Sequence, residues 1–296
     1  MKLKAWFLET RPQFLLLSVV LAFLGTCVAW YYGAFHAGYA LLASFGLLLC
    51  HISVNVLNDY YDYRSGIDLK TRRTPFSGGS GFLPTGALQP KHVFWFGITC
   101  FLLALPIGVY FVLARGWLLL PVLLVGAVCI LLYTPIITKL RWPEWSPGFG
   151  LGALPILGLY FVQTADYTIP AVVASIPSGI LVHNLLLLNE FPDTEADKVA
   201  NRKTLPITMG KTRASVVYSA LTAVVYLWVI GSVVAGLMPV FCLIALLTLP
   251  FAVKAIQGAL RHQDASKLGP AMASNVMVIL LTQLLLGIGY LLAGAF

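Results

Sequence analysis

Charge is scarce in this chain. Only 10% of its 296 residues are Asp, Glu, Lys or Arg, whereas 59% are hydrophobic. A water-soluble domain of that length needs a charged exterior, and so few charges exclude one. Cysteine is also sparse. Cys27, Cys50, Cys100, Cys129 and Cys242 all fall in apolar stretches without metal-ligand spacing. They read as small core hydrophobes and not as a disulfide framework. No His pair has ligand spacing, and no stretch alternates oxygen ligands as a calcium-binding EF-hand does. Gly210-Lys211-Thr212 resembles the end of a nucleotide P-loop, but Leu205 stands where the first glycine is required. The N-terminus lacks a cleavable signal pattern, because the apolar run after Arg11-Pro12 is long enough to span a bilayer. A net charge of +8 could suggest nucleic acid. The basic residues, however, lie in short segments between apolar runs, so no nucleic-acid partner is expected.

What the chain has instead is hydrophobic length. Nine apolar runs occupy about 13–33, 37–58, 92–114, 116–137, 148–165, 168–190, 214–236, 238–257 and 270–294. Each approaches the roughly 20 residues that carry a helix across a bilayer. Runs three and four part only at Arg115-Gly116, and runs seven and eight only at Gly236-Leu237-Met238-Pro239. The expected fold is an all-α membrane protein, a bundle of nine transmembrane helices. It is read as one domain over 1–296, with two weakly related halves at about 1–147 and 148–296. Charge placement agrees. Nine spans put segments 1–12, 59–91, 138–147, 191–213 and 258–269 on one side of the membrane. Of the 19 Lys and Arg residues only Arg115 falls opposite, with Lys254 at a helix end on the rich side. The excess of positive charge assigns those segments and the N-terminus to the cytoplasm.

Topology does not require acids on either side, yet most of them gather there in two clusters. The first closes the second run: Asn55, Asn58, Asp59 and Asp62, with Asp68 beyond Ser65-Gly66. On a continuing helix Asn55, Asp59 and Asp62 share one face, and Asp68 is expected to fold back from the loop. The second closes the sixth run: Asn189, Glu190, Asp193, Glu195 and Asp197, with Pro192 as a candidate kink. Asn-x-x-x-Asp thus occurs twice, each time at the cytoplasmic mouth of an even-numbered span, as a weak internal repeat would place it. Like charges so close repel, and are costly to desolvate near a membrane. A divalent cation removes both difficulties. Carboxylates on opposing helices, completed by water and phosphate, describe a Mg²⁺–phosphate site, and two ions would stabilise a departing diphosphate. The bland alternative is a pair of solvated helix ends.

Cations for an anionic substrate follow each cluster: Lys70, Arg72 and Arg73, then Lys198, Arg202 and Lys203, with Lys139 and Arg141 after span four. Each could equally serve as a topological anchor. The glycine-rich run Thr74 to Gly81 could offer backbone N–H groups to a phosphate or be a plain linker. Tyr60, Tyr61, Tyr63 and Tyr133 read either as interfacial anchors or as aromatic walls for a cation. His51 and His183 read as buried, hydrogen-bonded structural residues.

At these residues the chain resembles the UbiA superfamily of intramembrane prenyltransferases, whose two aspartate-rich motifs run N-D-x-x-D-x-x-x-D and D-x-x-x-D. Asn58-Asp59-Tyr60-Tyr61-Asp62 matches the start of the first, Asp68 comes two residues late, and Asp193-Thr194-Glu195-Ala196-Asp197 fits the second. The extended first motif and Asn189 through Asp197 look most like the menaquinone-type branch, which prenylates 1,4-dihydroxy-2-naphthoate. The stretch after Tyr133 departs from that branch, reading Pro147 to Gly152 without a Gly-Glu pair, which leaves the acceptor open. The resemblance implies two Mg²⁺ ions held by Asp59, Asp62, Asp193 and Asp197. It implies that Asn55 and Asn189 orient metal or diphosphate, that Tyr133 and Lys139 assist diphosphate binding, and that Arg72 and Lys203 join them. Asn58 and Asp68 complete the substrate-binding set. The partners implied are a prenyl diphosphate, an aromatic acceptor and the lipid bilayer, in the inner membrane of a bacterium or archaeon. Two rivals stand beside this reading. An ion-coupled carrier would also use acids at helix ends, though usually nearer the midplane. A lipid-alcohol phosphotransferase would gather its aspartates in one run, which is absent here.

Overall fold

A computed structural model of the chain describes residues 2–71 and 78–296, so Arg72, Arg73 and Thr74 to Ser77 of the glycine-rich run lie outside the described residues. A short helix α1 (Lys2–Glu9) precedes the membrane helices α2 (Pro12–Tyr31), α3 (Ala37–Ser65) and α4 (Pro90–Arg115). The second half of the chain supplies α6 (Trp145–Thr164), α7 (Ile169–Val199), α8 (Lys211–Val234), α9 (Val240–Leu260) and α10 (Ala265–Ala295). Between the two groups lies α5 (Trp117–Leu131). Among the described residues, eight helices are long and apolar enough to cross a membrane, and α5 is a shorter apolar ninth. The order of elements is the expected one.

Three boundaries differ from expectation in a way that matters for the site. The second and sixth spans do not stop at the membrane edge. Helix α3 continues to Ser65 and α7 to Val199, so both acid clusters ride on helix and keep their i, i+4 alignment. Pro192 sits inside α7, which runs on through it. The fourth span, by contrast, ends about a turn and a half before the expected 137. Pro135 is the physical reason, because its ring disfavours helical geometry in the residue before it. The chain from Leu132 to Leu140 therefore descends as irregular turns, a form tolerated at membrane depth only where backbone is buried in protein or lines a cavity.

Helix α7 is the central strut. It packs against α6, α8, α10 and α2, and contributes Leu181, Leu187, Leu188 and Phe191 to the buried interior. Its approach to α6 is set by small residues. A Cβ added at Gly152 would stand 2.7 Å from Gly179 Cα and Ser178 O, and one at Gly148 would meet the Gly179 carbonyl at 2.8 Å. Only glycine allows backbones that close, the usual device for joining helices in lipid. Helix α4 lies at the periphery and turns Leu102, Leu103 and Leu113 outward, where lipid is their solvent. The five cysteines are all free, as expected.

Candidate active site

Both acid clusters open into one cavity. Asn55, Asn58, Asp62 and Asp68 line it from the α3 side, and Asn189, Asp193 and Asp197 from α7, with Tyr133 on the irregular turn between α5 and α6. Its deeper wall is apolar, with Leu17, Leu47, Val182, Leu185 and Ile279. A tail-like hydrocarbon can occupy that end while charge stays at the other.

Two arginines hold the acids in place. Arg202 follows α7 by three residues. Its Nη1 donates to Asp197 Oδ1 at 2.9 Å and its Nη2 donates to Asp62 Oδ1, so one guanidinium joins the two clusters. Arg11, just before α2, donates to Asp59 Oδ1, and the Ser80 N–H donates to the other oxygen of that carboxylate at 2.7 Å. Asp59 thus sits behind Arg11 and outside the cavity lining. Asn58 Nδ2 donates to Asp62 Oδ2 and to Thr134 Oγ1, each at 3.1 Å, while Asn55 Nδ2 donates to the Thr10 carbonyl at 3.1 Å. Asp68 does fold back: it is buried against Gly79, where a Cβ would come within 2.9 Å of its Oδ2.

Electrostatics follow from burial. Asp68 is pushed up to about 7, chiefly by desolvation and then by Asp62 and Asp59. Glu9 is raised to about 8 by desolvation and by Asp59, although Ser80 Oγ donates to it. Burial by itself would lower Arg11 and Arg202, yet their carboxylate neighbours outweigh it and hold both above the ordinary guanidinium value.

The donor set suits a hard divalent ion: carboxylate and amide oxygens converge from two helices, with room for phosphate and water. Among the described residues no three His, Cys, Asp or Glu side chains stand close enough to hold a metal by themselves. Mg²⁺ is usually bound by protein through one or two carboxylates, with substrate phosphate and water supplying the rest.

A profile of the UbiA prenyltransferase family matches residues 16–292. The chain belongs to the UbiA prenyltransferase family. It is 31% identical over 287 residues to the 1,4-dihydroxy-2-naphthoate octaprenyltransferase of Bacillus subtilis, covering 96% of this chain and 91% of that protein. It is 26% identical to the enzyme of the same name from Haemophilus influenzae, covering 98% and 97%. Among solved structures, a UbiA homolog from Archaeoglobus fulgidus bound to GPP and Mg²⁺ superposes with a TM-score of 0.63 at 14% identity, over 95% of this chain and 99% of that one. The apo UbiA homolog from Aeropyrum pernix K1 gives 0.66 at 15%, over 95% and 98%. These likenesses carry the fold. The carrier and phosphotransferase readings fall away, and the chain is a membrane-embedded prenyltransferase.

In this UbiA prenyltransferase only some of the expected cations with described positions reach the cavity. Lys139 and Lys203 are exposed and absent from the lining, although their segments are tied by a bond from Lys203 N–H to the Thr138 carbonyl at 3.1 Å. Arg72 lies outside the described residues. Among the described residues, Arg202, one candidate among several, and Arg11, read only as a boundary, are the Lys and Arg side chains that line the cavity. Glu9 and Glu144 gave no sequence signal, since neither has another acid near it in the chain. His51 is structural as expected: it is buried, with Nδ1 2.8 Å from Ser18 Oγ.

Proposed function

We propose that this prenyltransferase joins the prenyl group of a prenyl diphosphate to 1,4-dihydroxy-2-naphthoate, with two Mg²⁺ ions and with its mouth facing the cytoplasm. The curated relatives' names support that acceptor. The observation that carries the reading is the contact of Arg202 with Asp62 and Asp197, which brings the acids of α3 and α7 within reach of one diphosphate. Asp59, Asp62, Asp193 and Asp197 would hold the metal, which when bound neutralises the phosphate oxygens and makes diphosphate a better leaving group. Asn55, Asn58 and Asn189 orient the carboxylates and the diphosphate through their amides. Arg11 and Arg202 are cations already at the cavity, suited to phosphate oxygens once metal takes over their carboxylates. Tyr133 lines the same space, and an aromatic ring there is company that suits an allylic cation. The apolar wall from Leu17 to Ile279 takes the tail and excludes water that would quench the cation.

Purified protein in lipid, given Mg²⁺, a series of prenyl diphosphates and a panel of aromatic acids, should yield a prenylated, decarboxylated naphthalenediol by mass spectrometry. Asp62→Ala and Asp193→Ala should each abolish metal-dependent diphosphate release while the protein stays folded. Transfer to a different acid alone would overturn the acceptor, and full activity in either variant would overturn the site.

A further inference from the structure

One wall of the cavity is polar in a manner that diphosphate binding does not explain. Ser146 at the start of α6, Glu190 on α7 and Thr204 beyond α7 all line it. Each carries a buried side-chain atom without a hydrogen-bond partner: Ser146 Oγ, Glu190 Oε2 and Thr204 Oγ1. Buried polar atoms are normally paired, so three orphans lining one cavity indicate a surface made for a polar ligand. Behind them lies Glu144, fully buried. Its Oε1 accepts the Leu205 N–H at 2.5 Å and its Oε2 has no partner. Its carboxyl neighbours that of Glu190. Glu190 lines the cavity, and its Oε2 is an acceptor without a donor. Carboxylates repel a diphosphate. They attract a ring hydroxyl.

We infer that Glu190, positioned by Glu144, is the base that takes the proton from the ring hydroxyl of the aromatic acceptor. The inference rests on the proposed transfer to a hydroxylated aromatic acid. The allylic C–O bond breaks, and its electron pair leaves on the diphosphate. The ring carbon beside the hydroxyl, which bears the carboxylate, supplies the pair for the new C–C bond. The hydroxyl proton passes to Glu190, and the O–H pair closes a carbonyl. The resulting β-keto carboxylate loses CO₂, its C–C pair re-forms the ring double bond, and the carbonyl oxygen recovers the proton from Glu190. Every proton and electron pair is accounted for without a further reactant. Glu190 is the catalytic residue. Glu144 is a positioning residue, since it reaches the acceptor only through Glu190.

The test uses the full-length protein in lipid with Mg²⁺, a prenyl diphosphate and dihydroxynaphthoate. General-base catalysis contributes on the order of 10²–10⁴-fold. Glu190→Gln should therefore lower kcat at least about 100-fold, with the Kd for prenyl diphosphate staying within about twofold of wild type. Glu144→Gln should lower kcat by less, with both KM values and the melting temperature unmoved. Wild-type protein should bind, but not prenylate, an acceptor whose reacting hydroxyl is a methyl ether, and this arm needs no variant to fold. Wild-type kcat in Glu190→Gln, equal loss of diphosphate binding, or prenylation of the ether at the normal rate would each overturn the role. Wild-type protein that prenylates no hydroxylated acid would instead overturn the proposed function itself.

Discussion

Arg202 reaches from the turn after α7 to a carboxylate on each of two helices, and its side chain is only 15% exposed. Removing one partner of such a buried set leaves charge uncompensated, at a cost of about 3 kcal/mol or more. Arg202→Ala should therefore unfold at a clearly lower temperature than wild type in chelator, and Mg²⁺ should raise the variant's midpoint by more than it raises the wild type's. Equal midpoints in chelator would show the bridge to be a surface contact worth little. At this scale the sequence was legible where chemistry repeats along a helix. Asn55, Asp59 and Asp62, and Asn189, Asp193 and Asp197, announce themselves by spacing alone. Arg11 and Glu144 do not, because their partners, Asp59 and Glu190, are brought near only by tertiary packing. Lys139 and Lys203 lie outside the cavity lining, since a cation near an acid cluster in sequence need not turn toward it.

Helix α7 can present its acids at the cavity only because α6 lies almost backbone to backbone against it. Gly152→Leu would drive a side chain into the Gly179 backbone and Ser178 carbonyl, and overpacking of this kind costs about 3 kcal/mol. Loss of prenyl transfer with a lowered melting temperature is the expected outcome. Gly231→Ala is the control, since that position on α8 has nothing within 4 Å of an added Cβ. It should keep activity and gain up to about 1 kcal/mol from helix propensity. Neither close approach was readable beforehand, because a glycine in an apolar run looks the same whether it faces lipid or a neighbour. The early end of α5 was readable in principle from Pro135, but length and hydropathy carried the expected span past it.

For the whole molecule, the order of the apolar helices followed from hydrophobic length, while the count did so only approximately: among the described residues eight are long enough to span and α5 is shorter. The assembly of α3 and α7 around one cavity did not, since nothing along the chain says which helices touch. The charge asymmetry makes a testable statement about orientation. Lys198 and Asp166 are both exposed and lie at opposite ends of α7. In right-side-out vesicles a membrane-impermeant thiol reagent should label Asp166→Cys at once and Lys198→Cys only after permeabilisation. Labelling of both from outside would contradict a cytoplasmic mouth.

The brevity of α5 has a consequence for the chamber wall. From Trp117 to Leu131 it is about 22 Å long at 1.5 Å per residue, whereas the hydrocarbon layer is roughly 30 Å deep. The shortfall lies at the Leu131 end, beside Gly126, Cys129 and Ile130, which line the cavity, so on that side turns of chain, and not a full helical wall, bound the chamber.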